Sequence, residues 1–335
     1  MSYIEEQIKT RVWIRNFLPE RGAGEAVNEI MEGLYASPKY ISPKYFYDRT
    51  GSELFEEITR LKEYYPTRCE KEIISGMADE LDDVDFTGLE VFELGCGDAG
   101  KISTFFDQIS FGALSTMSYV PVDISSSAVK NTVKAVNRDF PLKKIDGYVM
   151  DFNHQMNLIP RAGRRLYCFF GGTIGNFDPE DVETFIRSLG ELMEDEDVLL
   201  MGVDMVKDIS VIESAYNDRR GITAQFNKNI LNVINELTGS NFDTRDFEHL
   251  ALYNYKMNRI EMHLKAKRAL EIDFGPGNKP IKFKRGETIH TENSHKFTGD
   301  QLEKIGRMGG MQIHRVLSDS NGWFSLVYFT GTDHQ

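Results

Sequence analysis

A glycine-rich segment in the first third of the chain has the residue types and spacing of a cofactor-binding loop. It reads Glu93-Leu-Gly95-Cys-Gly97-Asp-Ala-Gly100-Lys101, directly after an apolar run and at the start of a helical stretch. Glycines at a strand–helix junction let the backbone approach a ligand closely, and the N-terminus of the helix then faces that ligand. Because this spacing fits several nucleotide-type cofactors, the surrounding residues must decide among them.

Acidic residues at the ends of three successive predicted strands favour S-adenosylmethionine. Glu93 comes just before the first glycine, where a carboxylate suits a cationic sulfonium better than an anionic pyrophosphate. Asp123 ends the next strand and can accept hydrogen bonds from ribose hydroxyls, as it could for a dinucleotide. Asp151 and Phe152 end the third strand and suit the amino group and the ring face of adenine. The sequence therefore predicts S-adenosylmethionine rather than a nicotinamide cofactor.

A second glycine-rich segment, Phe170–Phe177, follows the fourth predicted strand and contains Asn176. Ligands of open parallel sheets bind beyond the carboxyl ends of the strands, so we expect this segment to line the pocket of a methyl acceptor. Asn176 has donors and an acceptor that could hold a carboxylate and a neutral amine. It could instead cap the helix that begins near Asp178-Pro179. The Asn/Asp-Pro-Pro-Tyr sequence of adenine and glutamine-amide methyltransferases is absent here, which argues against those acceptors.

Glu292 and Ser294 lie two residues apart in a predicted strand, so their side chains should share one face. A carboxylate and a hydroxyl side by side can satisfy both nitrogens of an imidazole ring. The alternative is an ion pair between Glu292 and Lys296, His290 or His295, of the kind that is common and weak on protein surfaces.

Short apolar runs alternate with helical stretches between about residues 89 and 204, which is typical of a doubly wound parallel sheet in an α/β protein. The predicted strands are Leu89–Leu94, Tyr119–Val122, Gly147–Met150, Leu166–Phe170 and Val198–Val203, with helices near 101–110, 126–138 and 179–194. Two closing strands, Met311–Leu317 and Gly322–Thr330, are joined too closely for a parallel crossover and must form an antiparallel hairpin. A parallel sheet that ends in such a hairpin resembles the class I methyltransferases.

The region between these two parts has a different pattern. A long helix from Ile222 to about Thr238 precedes residues that alternate between apolar and polar, which predicts an antiparallel sheet with one solvent-facing side. Residues 1–80 look helical, and Thr50–Glu53 and Thr67–Glu70 have the pattern of capping boxes. We therefore predict a methyltransferase core that binds S-adenosylmethionine and an inserted α+β substrate-binding domain. The core comprises 71–204 and 297–335, and the inserted domain comprises 1–70 and 205–296.

Composition narrows the possible partners and setting. The chain has 335 residues and a net charge of −13, with no concentrated basic face, so nucleic acid is not an expected partner. No apolar run approaches the roughly 18 residues of a membrane-spanning helix, and the acidic N-terminus does not read as a secretory signal. The three cysteines, Cys69, Cys96 and Cys168, read as buried thiols rather than a disulfide or metal site. We expect a cytoplasmic protein without a metal, and a monomer by default.

Several longer strings resemble the histidine-specific N-alpha-methyltransferase family of ergothioneine biosynthesis, and the resemblance runs over nearly the whole chain. The strings are 38–70, Gly171–Asn176, Ala215-Tyr216, Thr223–Asn227, Arg259–Met262 and Thr291–Phe297.

This resemblance implies a two-domain enzyme that transfers three methyl groups from S-adenosylmethionine to the alpha-amine of L-histidine and makes hercynine. Asn176 and Tyr216 would hold the carboxylate and orient the amine. Tyr47 and Tyr64 would line the amine and imidazole region, and Tyr47 and Asn176 are the predicted catalytic residues. Gly171, Met262, Glu292 and Ser294 would complete the substrate pocket, and Gly95, Gly97, Lys101, Asp123, Asp151 and Phe152 would bind the cofactor.

Two other functions stay open at this point. The chain could methylate another free amino acid, such as a tryptophan derivative, or it could be a non-catalytic sensor of S-adenosylmethionine or an amino acid. The adjacent Tyr64 and Tyr65 also cannot both face a ligand, because neighbouring residues rarely share a face, so one of them should belong to the core.

Overall fold

The computed structural model describes residues 4–18, 23–81, 84–275 and 279–331. The chain divides into two compact units, each built from separate stretches of sequence. Of the described residues, unit 1 comprises 4–18, 66–81, 84–206 and 296–331, and unit 2 comprises 23–65, 207–275 and 279–295.

The described residues form fifteen strands. In chain order these are β1 Ile4–Lys9, β2 Val12–Asn16, β3 Lys39–Tyr40, β4 Glu90–Leu94, β5 Ser118–Asp123, β6 Lys144–Val149, β7 Arg165–Phe169, β8 Val198–Asp204, β9 Phe247–Asn254, β10 Arg259–Ala266, β11 Leu270–Ile272, β12 Ile281–Phe283, β13 Thr288–His295, β14 Met311–Ser318 and β15 Phe324–Gly331.

Twelve α-helices accompany them within the same described ranges. They are α1 Ala23–Tyr35, α2 Arg49–Thr59, α3 Pro66–Ser75, α4 Met77–Glu80, α5 Gly100–Phe106, α6 Phe111–Leu114, α7 Ser126–Asp139, α8 Phe152–Gln155, α9 Pro179–Leu192, α10 Ile209–Tyr216, α11 Ile222–Thr238 and α12 Gly299–Met308.

Unit 1 is organised around a nine-stranded sheet with the order β1-β2-β6-β5-β4-β7-β8-β15-β14. Strands β2 to β8 of this order run parallel, and the β14–β15 hairpin adds antiparallel strands beside β8. The central strands are fully buried, as expected for a parallel sheet covered by helices on both faces. The predicted α/β sheet and its closing antiparallel hairpin are therefore confirmed.

The strand order of unit 1 fixes where a ligand would bind. The chain moves outward in one direction through β4, β5 and β6, and then in the other through β7 and β8. Ligands of such sheets bind at the carboxyl ends of the strands on either side of this reversal. The loops after β4 and β7 meet this requirement, and they are the two glycine-rich segments of the sequence.

Unit 2 contains a four-stranded sheet with the order β3-β13-β10-β9 and the small β11–β12 hairpin. Strand β10 pairs antiparallel with β9 and β13, which confirms the predicted antiparallel pairing, whereas the short β3 is parallel to β13. The residues of β10 alternate between half-buried and buried, so the side predicted to face solvent is only half-buried. Helix α11 begins and ends where the sequence predicts and buries one side against α2 and β9.

The prediction for the N-terminal region is wrong in part. Residues 4–16 form β1 and β2 rather than helix, and β2 pairs in parallel with β6, so these residues belong to unit 1. Residues 23–65 do fall in unit 2, with helices α1 and α2. The functional role predicted for each unit stays a prediction.

Both predicted capping boxes are also wrong. Asp48, not Thr50, caps α2, because its carboxylate accepts the Gly51 N–H at 2.7 Å. Helix α3 begins at Pro66, so Thr67 and Glu70 lie inside it rather than at its cap.

Candidate functional site

The first glycine-rich loop connects β4 to α5 and is tied to the end of the neighbouring strand. The Gly97 N–H donates to Asp123 Oδ2 at 3.1 Å, and Asp123 Oδ1 accepts the Ser125 N–H at 2.8 Å. Burial raises the pKa of Asp123, although these N–H donors partly offset the effect. The predicted partners Gly97 and Asp123 are therefore in direct contact.

The end of β6 lies against the same loop. Asp151 caps α8 by accepting the Asn153 N–H at 3.0 Å, and Phe152 is the first residue of that helix. Gly95 has a φ of +70°, and a Cβ built on it would lie 3.9 Å from the Phe152 ring. The structure thus brings Gly95, Gly97, Asp123 and Phe152 together at one edge of the sheet.

These residues fit S-adenosylmethionine by the chemistry of their donors and acceptors. Two carboxylates at adjacent strand ends offer acceptors for hydroxyl and amino groups, and an aromatic ring lies beside the loop. The basic residue of the loop, Lys101, is paired with Glu70, at 3.1 Å between Nζ and Oε2, so its charge is already balanced. Such a set suits a cationic ligand with a ribose better than an anionic pyrophosphate.

Glu93 is more enclosed than its place beside the loop suggested. It is the penultimate residue of β4, only 2% exposed, and accepts a hydrogen bond from the Tyr119 hydroxyl. Burial raises the pKa of Glu93 to about 8. Its carboxyl group is therefore shielded from solvent and hydrogen-bonded to the neighbouring strand β5.

Sequence reasoning missed Glu70, which connects the two glycine-rich loops within unit 1. Glu70 is 1% exposed, and its Oε1 accepts the Gly171 N–H at 2.6 Å while Oε2 pairs with Lys101. Burial alone would lower the pKa of Lys101, but Glu70 and two further carboxylates hold it above the ordinary value. A signal was present, because Glu70 follows Cys69 and precedes Ile73 on what proves to be the buried side of α3.

The second glycine-rich loop follows β7, as predicted, and includes a short 3-10 turn, Thr173–Asn176. Asn176 is half-buried at the end of this turn. The residue that caps α9 is Asp178, so the alternative reading of Asn176 as that cap is wrong. Gly171, at the other end of the loop, is the residue held by Glu70.

In unit 2, the predicted substrate residues form a continuous aromatic and polar cluster. The Tyr216 hydroxyl, at the end of α10, donates to Ser294 Oγ at 2.7 Å. The Tyr64 ring lies 6.3 Å from the Tyr216 ring, and Phe55 connects Tyr64 to Tyr47 at 6.3 and 5.9 Å between ring centroids. The four predicted residues Tyr47, Tyr64, Tyr216 and Ser294 are therefore brought together from three parts of the sequence, with Phe55 between the first two.

The β10–β13 pairing places Glu292 opposite Met262 and Ser294 opposite Ile260. Opposed residues of an antiparallel pair share a face, so the prediction that Glu292 and Ser294 point the same way is confirmed. The Lys296 ammonium instead pairs with Asp204 at 2.8 Å.

His290 Nε2 lies 3.1 Å from the main-chain oxygen of Glu292 and 2.9 Å from Asn293 Oδ1. Of the two adjacent tyrosines, Tyr65 is the core residue, 1% exposed and hydrogen-bonded by Lys207 at 2.9 Å. Tyr64, by contrast, is half-buried.

A surface cavity of about 700 Å³ lies elsewhere in unit 1, lined by 161–164 and 193–196. These residues immediately precede β7 and β8, at the amino ends of the strands. The cavity is therefore on the edge opposite the glycine-rich loops and is not the candidate site.

The three cysteines are free and buried, as predicted. In the part of the chain that the structure describes, no three His, Cys, Asp or Glu side chains gather in a way that could hold a metal ion. Among the described helices, none combines the length and apolar character needed to cross a membrane.

Comparison with known proteins identifies the family of this chain. A family model described as "Histidine-specific methyltransferase, SAM-dependent" matches residues 26–331. A protein named histidine N-alpha-methyltransferase from Mycobacterium tuberculosis is 37% identical over 317 residues, which cover 94% of this chain and 98% of that protein. Ergothioneine biosynthesis protein 1 of Schizosaccharomyces pombe is 28% identical over 80% of this chain and 36% of its own length.

Solved structures give weaker similarity. The mitomycin 7-O-methyltransferase MmcR aligns with a TM-score of 0.47 and 12% identity, over 92% of this chain and 67% of that chain. A similarity of this size carries no argument of its own. The match of the family model over most of the sequence does, and the chain belongs to the histidine-specific, S-adenosylmethionine-dependent methyltransferase family.

Proposed function

We propose that this protein transfers three methyl groups, one at a time, from S-adenosylmethionine to the alpha-amine of L-histidine, which yields hercynine for ergothioneine biosynthesis. Membership of the histidine-specific family supports the proposal, as does the 37% identical relative named for this activity. The observation that carries it is the cluster in unit 2, where Tyr216 is bonded to Ser294 and Glu292 lies on the same face of the strand.

We propose that this cluster recognises the imidazole ring. A neutral imidazole has one N–H donor and one nitrogen acceptor, so it needs an acceptor and a donor on the protein. The Glu292 carboxylate supplies the acceptor. The Ser294 hydroxyl can donate to the ring nitrogen because it accepts its own hydrogen bond from Tyr216. Met262, opposite Glu292 and 2% exposed, would form an apolar wall beside the ring.

For the cofactor side, we propose that Gly95, Gly97 and Lys101 contact S-adenosylmethionine from the first loop. Asp123 would accept the ribose hydroxyls, and Asp151 with Phe152 would hold the adenine. When bound, S-adenosylmethionine supplies an electrophilic methyl group on a cationic sulfur. The carboxylates at the strand ends favour that charge, because an opposite charge nearby stabilises a cation.

The chain's own contribution to the transfer is binding and orientation. Alignment of a nucleophile with its target can be worth about 7–11 kcal/mol. We propose that Asn176 and Tyr216 hold the carboxylate of histidine and orient the amine, with the amide N–H of Asn176 as the donor to the carboxylate. The Tyr216 hydroxyl gives its proton to Ser294, so its oxygen would accept from the amine. Tyr47 and Tyr64 would line the region around the amine. Neutral contacts suit three rounds of transfer, because a carboxylate placed directly on the amine would stabilise its protonated, unreactive form. Aromatic rings also attract the quaternary ammonium of the product.

We further propose a cytoplasmic monomer that acts on a small molecule. The three free, buried thiols are typical of a reducing compartment, and the net charge of −13 does not favour nucleic acid. Size-exclusion chromatography with light scattering tests the oligomeric state.

The decisive experiment incubates the protein with S-adenosylmethionine and all twenty amino acids, and follows each by mass spectrometry. We expect histidine alone to gain one, two and then three methyl groups, with one adenosylhomocysteine formed for each methyl group transferred. Fragmentation of the product distinguishes methylation of the alpha-amine from methylation of the ring. Ring-methylated product, or no product, would contradict the proposal.

One alternative has a specific observation behind it. A relative named L-tryptophan methyltransferase, from Psilocybe serbica, is 25% identical over 92% of this chain and 95% of its own length. The same mixture tests this alternative, because methylated tryptophan in place of histidine would support it. Binding of both ligands without any methylated product would indicate a sensor instead.

A further inference from the structure

An irregularity in β13 decides which way Glu292 points. Up to Ile289 the strand is in simple register with β10, with Ile289 opposite Leu264 and His290 opposite His263. The next paired residue is Glu292, opposite Met262, so Thr291 is an extra residue that forms a β-bulge.

Without this bulge, the register of Ile289 and Leu264 would continue and place Glu292 opposite Glu261. A shift of one residue moves a side chain to the other face of a sheet. Glu292 would then leave the face it shares with Met262, and Ser294 would leave with it. The orientation of the proposed imidazole-binding pair therefore depends on the bulge.

The bulged residue is held by a buried amide from α11. Thr291 and Asn227 are both fully buried, and Thr291 Oγ1 lies 2.7 Å from Asn227 Oδ1 and 3.0 Å from the main-chain oxygen of Met262. Both neighbours are acceptors, so the Thr291 hydroxyl donates its proton to them. Asn227 Nδ2 in turn lies 3.0 Å from the main-chain oxygen of His263, on the strand opposite the bulge.

His249 extends this network to the other end of the cluster. Its Nε2 lies 2.9 Å from the main-chain oxygen of Tyr216, which can only accept, so Nε2 carries the proton. Its Nδ1, 2.8 Å from Asn227 Nδ2, therefore accepts from the amide. The orientation of Asn227 and the neutral state of His249 are both fixed by these partners.

The contacts close into a ring. It runs from the Tyr216 main chain through His249 and Asn227 to Thr291, continues along β13 to Ser294, and returns to the Tyr216 hydroxyl. Every side-chain link in it is 2.7 to 2.9 Å long. None of the inner members, Asn227, His249 and Thr291, is among the residues proposed to contact histidine.

We propose that Thr291 and Asn227, with His249, are positioning residues that hold the β13 bulge and so aim Glu292 and Ser294 at the imidazole of the substrate. This inference rests on the proposed function. It adds a specificity determinant outside the pocket. The ring of hydrogen bonds determines whether the Glu292 carboxylate and the Ser294 hydroxyl lie on the substrate-facing side of the sheet.

A pair of substitutions at one position isolates the role of the hydroxyl. Thr291→Val keeps the shape and the β-branch but removes the donor to Asn227, whereas Thr291→Ser keeps the donor. We expect Thr291→Val to raise the KM for histidine about tenfold or more, with a smaller effect on kcat, because the unmade buried hydrogen bond no longer holds the bulge that orients Glu292 and Ser294. Thr291→Ser should restore most of the loss, and both variants should bind adenosylhomocysteine as the wild type does.

A double-mutant cycle with Glu292→Leu then separates an effect of Thr291 on the orientation of the Glu292 side chain from an effect on overall stability. If Thr291 acts by orienting Glu292 and Ser294, Thr291→Val has a smaller effect on kcat/KM in the Glu292→Leu background than in the wild type, because only the orientation of Ser294 is then left to lose. Full additivity of the two losses would overturn the inference, as would a Thr291→Val enzyme with an unchanged KM.

The wild-type assay distinguishes failure of the proposed function from failure of the inference about Thr291. A wild type that methylates no histidine ends the proposed function and this inference together. A wild type that methylates histidine, combined with a silent Thr291→Val, ends this inference alone. Melting temperatures of all variants, with and without adenosylhomocysteine, identify any variant that fails to fold. For such a variant, Asn227→Ala replaces Thr291→Val, since it removes the same acceptor and predicts the same rise in KM.

Discussion

The two units hold their candidate ligand-binding residues by different kinds of contact. In unit 1, the main chain is the donor, as where the Gly97 N–H binds the Asp123 carboxylate. In unit 2, side chain meets side chain, as where the Tyr216 hydroxyl binds Ser294 Oγ. A loop held through its backbone depends on conformation, whereas a network of side chains depends on the identity of each member.

This difference matches the chemistry that each unit is proposed to serve. A class of cofactor can be recognised by the shape of the loops at the ends of parallel strands, which many sequences can produce. Discrimination of one amino acid from another requires hydrogen bonds that a wrong side chain leaves unpaired. We therefore expect substitutions in unit 2 to change selectivity, and substitutions in unit 1 to change affinity for the methyl donor.

Glu292→Leu is expected to have the largest effect. Loss of a hydrogen bond to a charged group costs about 1.5–3 kcal/mol, so kcat/KM for histidine should fall about 100-fold. Affinity for adenosylhomocysteine should be unchanged, since that ligand is assigned to unit 1. Steady-state kinetics and titration calorimetry measure the two quantities.

The matched control for this variant is Glu261→Leu. Glu261 is a half-buried acid on the neighbouring strand, paired with Arg259 at 2.7 Å, and it lies opposite Asn293 on the other face of the sheet. It should lower the melting temperature without a change in histidine selectivity. Equal losses in the two variants would mean that the face of the sheet is irrelevant to recognition.

Glu70→Gln is expected to have the next largest effect, and this substitution lies in unit 1. Glutamine can still accept the Gly171 N–H but leaves Lys101 without its counter-charge. An unbalanced cation at the loop repels a sulfonium, so affinity for S-adenosylmethionine should fall about 10- to 30-fold, on the scale of one charged hydrogen bond. Adenosylhomocysteine, which lacks the positive charge on sulfur, should lose less affinity.

Glu72→Gln is the control on the same helix. Glu72 accepts the Ser320 N–H at 2.9 Å and faces away from the loops. It should leave both affinities unchanged. If Glu70→Gln lowers the affinities for S-adenosylmethionine and adenosylhomocysteine equally, the role of Glu70 is not to balance charge.

The sequence was most informative where the chemistry is local. The run Val198–Val203 predicted β8, which extends to Asp204, because a buried parallel strand is a short apolar run with turns on both sides. The glycine-rich loop and Asp123 were recognisable for the same reason. Strand β2 was missed because its pairing partner β6 lies more than a hundred residues further along the chain.

The same limit explains the missed parts of the site. Glu70 and Gly171 are 101 residues apart, and Asn227 and Thr291 are 64 apart, so no local pattern connects them. A bulge of one residue leaves no mark in an alternating sequence, because its register depends on the partner strand. The orientation of Glu292 was predicted correctly from its spacing to Ser294, but the reason for that orientation was not visible.

Gly95→Ala tests backbone dependence in unit 1. A non-glycine residue in the left-handed region costs about 1–2 kcal/mol, and the new methyl group would lie 3.9 Å from the Phe152 ring. We expect affinity for adenosylhomocysteine to fall about tenfold, with a modest loss of melting temperature.

Gly88→Ala is the matched control, because Gly88 has a φ of +73° and nothing within 4 Å of a built Cβ. The Gly88→Ala protein should lose about as much melting temperature as Gly95→Ala and keep its affinity for adenosylhomocysteine. If Gly88→Ala weakens the binding of adenosylhomocysteine as much as Gly95→Ala does, the loss of affinity reflects strain in the whole unit and not the conformation of the first glycine-rich loop.

The two units are also expected to differ in the pH dependence of stability, which leaves ligand affinity out of the comparison. Burial raises the pKa of Glu93 in unit 1 from 4.5 to about 8, so the folded state holds a proton that the unfolded state has lost. Stability from this group therefore falls as the pH rises between these values. Burial lowers the pKa of His249 in unit 2 below 6.5, so its contribution is present above 6.5 and falls as the pH drops below that value.

Glutamine at each position removes the titration and keeps a hydrogen-bonding side chain. Glu93→Gln should flatten the loss of melting temperature towards pH 8, and His249→Gln should flatten the loss on the acidic side. For a chain of this size, about 1 kcal/mol corresponds to roughly 2–4 °C, which differential scanning calorimetry resolves. Because the two groups act in opposite directions, variants that both follow the wild-type curve would show that neither buried group sets the pH dependence. A change on the wrong side of the curve would show that the burial-driven shift has the opposite sign.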